Sequence, residues 1–405
     1  MLHTLQLDGE AALPSDIQPL HEPVDFAAPP STIFLTGATG FVAAYLLAEL
    51  IEKTHAKIFT LVRAESYERA LDRVRANLSQ YALWTPAMES RVIPVVGDLK
   101  LPLFGLSQTA FDTLSQMVDV IYHVGSKLSY IAPYAHLKPA NVDGTTETLR
   151  LAVTGKAKPY HFVSLLGILL GYRNLMGGGE GDPLDPEKCP QVGYFQTKYV
   201  AEALVRAARD RGIPVTIHRI GLIVGDAERG YSNPDDLVAR ILIGCIQAGY
   251  GPDIPHHMDM TPVDFIARAI VYFSTQPASM GKVFHLLNPQ PITWSGIMDT
   301  VVSVGYPVKK LPFERWIEAI EEHEDPLSNP LHPLLPFFHI DIAGRMLGIN
   351  ETAYRALGTQ FTQDSLIDSG VVCPPVDAHL IRTFLTRMVE TGRLHAASTM
   401  DQVTH

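Results

Sequence analysis

Thr32-Ile33-Phe34-Leu35-Thr36-Gly37-Ala38-Thr39-Gly40-Phe41-Val42-Ala43 joins a β-rich run to a glycine turn, and the turn to a helical pattern reaching Glu52. The spacing Gly37-x-x-Gly40-x-x-Ala43 supplies what a bound pyrophosphate needs. Glycines let the main chain approach it, the helix N-terminus offers free N–H groups and partial positive charge, and the small Ala43 permits close helix–strand packing. Thr36, Gly37, Thr39, Gly40, Phe41 and Val42 are therefore the first candidate cofactor contacts. A strand–helix turn without a ligand could carry the same glycines, so the surrounding pattern decides.

That pattern is a strand–helix rhythm. Lys57 to Val62 reads as a strand, and Ser66 to Tyr81 carries apolar residues at helical spacing. Arg91 to Val96 and Val118 to His123 read as strands, Leu137 to Val153 as a helix, and His161 to Leu166 as a fifth strand. Tyr194 to Arg211 is helical and Val215 to Val224 a sixth strand. Strands alternating with helices imply an α/β fold, a Rossmann-like doubly wound parallel sheet covered on both faces. Residues 226 to 260 read as irregular, and 263–287 as a helix and strand returning to the sheet. From Pro291 onward helices dominate. The expected organisation is a linker over 1–30, a dinucleotide-binding domain over 31–225 to which 261–290 return, and a smaller, mostly helical substrate domain from 226–260 and 291–405.

Composition narrows the class. Apolar residues make up 46% and charged residues 19%, as in a globular protein with a sizeable core. A net charge of −11 disfavours nucleic acid as a partner. The longest apolar runs, such as Phe162 to Leu170, fall short of a membrane span, and the N-terminus lacks a signal peptide's basic start and apolar stretch. Cys189, Cys245 and Cys373 have no metal spacing, and their odd number argues against a disulfide framework. A cytoplasmic location without metal or membrane is expected.

Chemistry enters at Val192-Gly193-Tyr194-Phe195-Gln196-Thr197-Lys198-Tyr199-Val200-Ala201-Glu202. Tyr194 and Lys198, four apart, lie one above the other on one helix face. An ammonium beside a phenol favours the phenolate, which makes the Tyr a usable proton donor or acceptor. Arg63 sits just past the second strand, where an acid would mark NAD; an Arg suits a 2′-phosphate, and Arg73 could add a second contact. Both can equally be solvated surface arginines. Asp98, in Gly97-Asp98-Leu99 at the end of strand three, can accept from an adenine amino group or cap the next turn. Val124, Gly125 and Ser126 follow strand four, where open α/β sheets hold ligands, whereas His123 reads as structural. Asn141 either borders the nicotinamide side or makes a local backbone bond.

These stretches, with Leu61-Val62-Arg63-Ala64, Asn141-Val142-Asp143-Gly144-Thr145 and Thr261-Pro262-Val263-Asp264, resemble the extended short-chain dehydrogenase/reductases. Within them the chain resembles the thioester reductase domains that end nonribosomal peptide and polyketide synthases and carboxylic acid reductases. The likeness covers about residues 32 to 290. Leu13-Pro14-Ser15-Asp16-Ile17 looks like the linker that follows a carrier protein in such assembly lines. The resemblance implies NADPH-dependent reductive release of an acyl or peptidyl group, held as a phosphopantetheine thioester on a carrier protein, to an aldehyde or onward to an alcohol. It makes Tyr194 the proton donor to the developing oxyanion. Lys198 would lower the Tyr194 pKa and hold the nicotinamide ribose.

The same resemblance calls for a Ser or Thr donor at the end of the fifth strand. The family commonly has Ser-Thr there, and this chain reads Ser164-Leu165; it also has Ile220 where the family has Pro. Ser164 is the candidate second donor. Strand alternation offers the alternative that Ser164 faces the packed side and Ser126 takes the duty. Arg173 to Asp182, with Gly177-Gly178-Gly179, reads as a mobile loop near the site or a plain surface loop. Competing functions are a reductase or epimerase acting on a free carbonyl or nucleotide sugar, and a non-catalytic NADP-binding sensor. Leu165 alone favours the sensor, and the Tyr194/Lys198 pair argues against it.

Overall fold

The computed structural model describes residues 7–20, 24, 28–172, 178–322, 326–338 and 351–397. The chain divides into two compact units, the first comprising 1–171, 180–220 and 267–285, the second 172–179, 221–266 and 286–405. Part of the expected loop, Arg173 to Gly177, lies outside the described residues.

The first unit is built on a seven-stranded sheet. Its strands are β1 (Thr32–Thr36), β2 (Lys57–Val62), β3 (Val92–Val96), β4 (Val120–His123), β5 (Tyr160–Leu165), β6 (Val215–Ile220) and β7 (Val283–Leu286), in the spatial order β7-β6-β5-β4-β1-β2-β3. From β3 to β6 every neighbouring pair is parallel, with Thr36 opposite His123 and Ser164 opposite Arg219. The order reverses direction at β1, and ligands in such sheets bind beyond the strand ends at that switch point. Strands buried on both faces read as continuous apolar runs, and β1, β4 and β6 are buried throughout.

Among the described residues the helices around the sheet include α1 (Phe41–Lys53), α2 (Tyr67–Ser79), α3 (Gln108–Met117), α4 (Tyr134–Lys138), α5 (Gly144–Val153) and α6 (Gly193–Asp210). The single helix expected over 137–153 is instead α4 and α5 joined by a π-turn at Pro139–Asp143. Pro139 has no N–H to donate, so the i→i−4 ladder is interrupted there. The segment read as a linker is anchored: Leu13 and Ile17 are buried, and the Arg211 guanidinium donates to the Leu13, Pro14 and Ile17 carbonyls.

Strand six ends at Ile220 rather than Val224. The Asp259 carboxylate crowds Gly221, where an added Cβ would lie 1.5 Å from Oδ2, and Leu222 N–H donates to that carboxylate. Ile223–Val224 pairs instead with Thr261–Pro262 in the second unit. Residues 226–260 also hold more order than expected, because Leu237–Ala248 is a helix closed by Gly249 at φ +72°. In that unit Trp294 and Trp316, on helices Trp294–Ser303 and Phe313–Glu321, are fully buried. Among the described residues no helix is long and apolar enough to cross a membrane.

Candidate active site

The glycine turn is held by contacts from two directions. Gly37 has φ +83°, and a Cβ there would lie 2.8 Å from the Gly125 main chain, so β1 and β4 meet backbone to backbone. Gly40 is the N-cap of α1 and leaves that helix end without a side-chain cap. The first-turn N–H groups of α1 thus present the donors and partial positive charge that suit a pyrophosphate. Asn77 of α2, which belongs to no motif in the sequence, clamps the turn: its Nδ2 donates to the Ala38 and Gly40 carbonyls at 3.0 and 3.1 Å.

The Thr36 hydroxyl, a candidate cofactor contact, is spent inside the protein. It accepts from the Val124 and Gly125 N–H groups and lies 2.7 Å from His123 Nδ1. His123 Nε2 is 3.0 Å from the Thr145 hydroxyl, which itself donates to the Asn141 carbonyl. Nε2 therefore carries the hydrogen and Nδ1 accepts from Thr36. Burial, with the Lys198 charge adding to it, pushes the His123 pKa down to about 3 and keeps this bridge neutral.

Asn141 sits in the π-turn and acts at a distance from its own helix. Its Oδ1 accepts from Lys127 N–H at 2.6 Å, and its Nδ2 donates to the Lys127 carbonyl and the Thr197 hydroxyl. It joins the segment after β4 to α6, which makes long-range bonds of what could have been a local one. Arg63 is exposed, and its carbonyl accepts from the Arg73 guanidinium, so α2 is tied to the end of β2. Asp98 caps its own turn, Oδ1 accepting from Lys100 N–H, while Leu99 packs where Cβ atoms on Gly125 and Gly144 would go.

Helix α6 is buried without interruption from Tyr194 to Glu202. Tyr194, Lys198 and Glu202 fall at four-residue intervals on one face. The expectation that Lys198 lowers the Tyr194 pKa and favours the phenolate is corrected here. Burial drives the Tyr194 pKa up, a hydrogen bond with the Ser126 hydroxyl holds it back, and the side chain stays a protonated phenol. Lys198 Nζ instead donates to the Val163 carbonyl at 2.7 Å and lies 4.3 Å from the centre of the Phe162 ring. Burial lowers the Lys198 pKa to about 7 against the pull of Glu202.

Ser164 faces neither Tyr194 nor open space. Its hydroxyl donates to Glu202 Oε2 at 2.6 Å, two helical turns beyond Tyr194. Glu202 also accepts from Arg219 at 2.7 Å and from Arg206 at 2.9 Å. Burial opposes the Glu202 charge, but these two guanidiniums more than offset it and hold the carboxyl well below the usual range. Arg219 continues to the His285 ring, and the His285 main-chain N–H donates to Glu180. Glu202 closes the helical motif of the sequence without a role there; its four-residue step from Lys198 is the only signal for one. Among the described residues no three His, Cys, Asp or Glu side chains cluster as a metal site, and the three cysteines are buried and form no disulfide.

The profile of the male sterility protein family, an NAD-binding family, matches residues 35–270. The chain is 38% identical over 366 residues, 89% of its length, to one subunit of the linear gramicidin synthase of Brevibacillus parabrevis, and covers 7% of that protein. It is 34% identical over 90% of its length to the L-2-aminoadipate reductase large subunit of Penicillium chrysogenum, covering 28% of it. The chain thus spans well under half the length of these curated relatives. Among solved structures, the terminal R domain of the myxalamid PKS-NRPS pathway superposes with a TM-score of 0.88 at 37% identity, over 96% of this chain and 98% of that one. A nonribosomal peptide synthetase reductase domain from Mycobacterium tuberculosis gives 0.76 at 25% identity, over 96% of each. The chain belongs to this NAD(P)-binding family and, within it, to the terminal reductase domains of peptide and polyketide synthetases.

Proposed function

We propose that the domain reduces an acyl or peptidyl thioester, carried on the phosphopantetheine arm of a carrier protein, to an aldehyde with NADPH. The observation that carries this reading is the buried Tyr194, hydrogen-bonded to Ser126 just beyond β4, with Lys198 one turn away and the glycine turn on the adjoining strand. In this reading the α1 N-terminus and Gly37–Val42 hold the pyrophosphate, Arg63 with Arg73 the 2′-phosphate, and Lys198 the nicotinamide ribose. Bound NADPH supplies the hydride for the thioester carbonyl carbon. Tyr194 gives its proton to the oxygen as negative charge develops there, and Ser126 donates a hydrogen bond to the same region. Loss of the pantetheine thiol from the resulting hemithioacetal leaves the aldehyde. The raised Tyr194 pKa suits an acid, since the proton is in place at neutral pH.

Incubation with S-octanoyl-pantetheine and either NADPH or NADH, followed by cofactor absorbance, tests the reading. NADPH consumption with release of one thiol per aldehyde is expected. Arg63→Ala should weaken NADPH binding roughly 10-fold, the effect of losing a charged hydrogen bond, while leaving NADH binding unchanged. Equal use of both cofactors by the unaltered protein would refute the role of Arg63. Absence of turnover with any thioester would refute the reaction.

A further inference from the structure

The segment between β4 and α4 shows more large apolar surface than a loop pinned beside a reacting group requires. Ile131 is 72% exposed and Leu128 58% exposed. The loop is fixed at both ends. Asn141 binds both main-chain groups of Lys127, and the chain from Ala132 to Tyr134 lies so close to α6 that a Cβ on Gly193 would be 2.4 Å from the Ala132 carbonyl. Between the anchors, Ser129 accepts from Ala132 N–H and closes the turn. Tyr130 lays its ring edge-on to Tyr194, centroids 6.2 Å apart, and also meets Phe195. Scattered exposed apolar residues need no explanation, but two of them flanking a residue in contact with the proton donor are not scattered.

We infer that Leu128 and Ile131, with the Tyr130 ring, form the contact surface for the hydrocarbon part of the acyl group, so that the domain favours apolar over polar acyl chains. The occupant follows from chemistry. A pantetheine arm brings amides and a hydroxyl that need several donors and acceptors, whereas Leu128 to Ile131 offers two aliphatic side chains, the Tyr130 ring and a serine already engaged. The thioester carbonyl at Tyr194 has the arm on one side and the acyl chain on the other, and the aliphatic lip matches the latter. This inference rests on the reading of the site as a thioester reductase.

The test measures binding by calorimetry of two unreactive thioethers, S-butyl- and S-octyl-pantetheine, to the protein saturated with NADP⁺. A methylene withdrawn from water strengthens binding roughly fourfold, and half-burial about twofold, so the octyl probe should bind on the order of 15-fold tighter than the butyl. In Leu128→Ser/Ile131→Ser, both exposed positions, that ratio should collapse to about threefold or less with butyl-probe and NADP⁺ affinities unchanged. An unchanged ratio in the variant overturns the inference. So does an equal loss for both probes, which would indicate displacement of Tyr194, or a loss seen only when the probe is attached to a carrier protein, which would make the lip a protein contact. Failure of the reductase reading shows differently: the ratio would persist while S-octanoyl-pantetheine is not reduced.

Discussion

One face of helix α6 has two ends of opposite character, each served by a different serine, Ser126 just beyond β4 and Ser164 on β5. At its N-terminal end Tyr194 meets Ser126, with exposed chain on one side and the glycine turn on the adjoining strand. Two turns on, Glu202 is fully enclosed and meets Ser164, Arg206 and Arg219. The first end keeps a neutral, protonated phenol; the second keeps a charge where burial alone would remove it. Lys198 stands between them, its pKa lowered by burial and partly restored by Glu202. On the function proposed above, the contrast separates residues that face chemistry from residues that hold the helix against the sheet, although all share one spacing.

The largest effect should come from the enclosed end. Glu202→Ala leaves two buried guanidiniums without their carboxylate, a loss on the order of 3–5 kcal/mol in denaturant unfolding. A loss below about 1 kcal/mol would mean that the arginines find other partners and that the network is not what fixes α6. Next in size is Tyr194→Phe, which keeps the ring against Tyr130 but removes the proton. Turnover should fall about 10³-fold while NADPH binding and thermal stability change little. Retained turnover in that variant would erase the distinction between the two ends.

How far this arrangement is legible in the sequence depends on where each partner lies. The glycine turn, the strand–helix rhythm and the Tyr194/Lys198 step are local patterns, and local spacing reports them. Helix Leu237–Ala248 escapes such a reading because its run is apolar almost throughout, with Gly244 inside it, so no stripe marks it as a helix. Asn77 and Arg219 act across 37 to 39 and 17 residues of chain, between elements whose register only the folded sheet defines. Spacing puts Thr36 in the correct turn, but its hydroxyl is used up by Val124, Gly125 and His123, which no spacing reveals. Ser164 stands as a candidate donor only by analogy of position. The period-two alternation of a strand already offers the other answer.

The smallest effect sharpens the comparison most. If Ser126 is the donor beside Tyr194, Ser126→Ala should lower turnover about 10²-fold at saturating NADPH, as loss of one oxyanion donor does. Its stability should barely change, because Ser126 is exposed. Ser164→Ala should do the reverse. Glu202 would lose one of its buried donors, costing about 1–2 kcal/mol in unfolding, while turnover stays close to that of the unaltered protein. The two single variants, each measured for turnover and for denaturant midpoint, therefore give crossed outcomes. If Ser164→Ala instead carries the turnover loss, its hydroxyl must leave Glu202 and turn toward the thioester when substrate binds. The enclosed end would then be part of the reacting centre, and the division of α6 into a chemical and a structural half would fail.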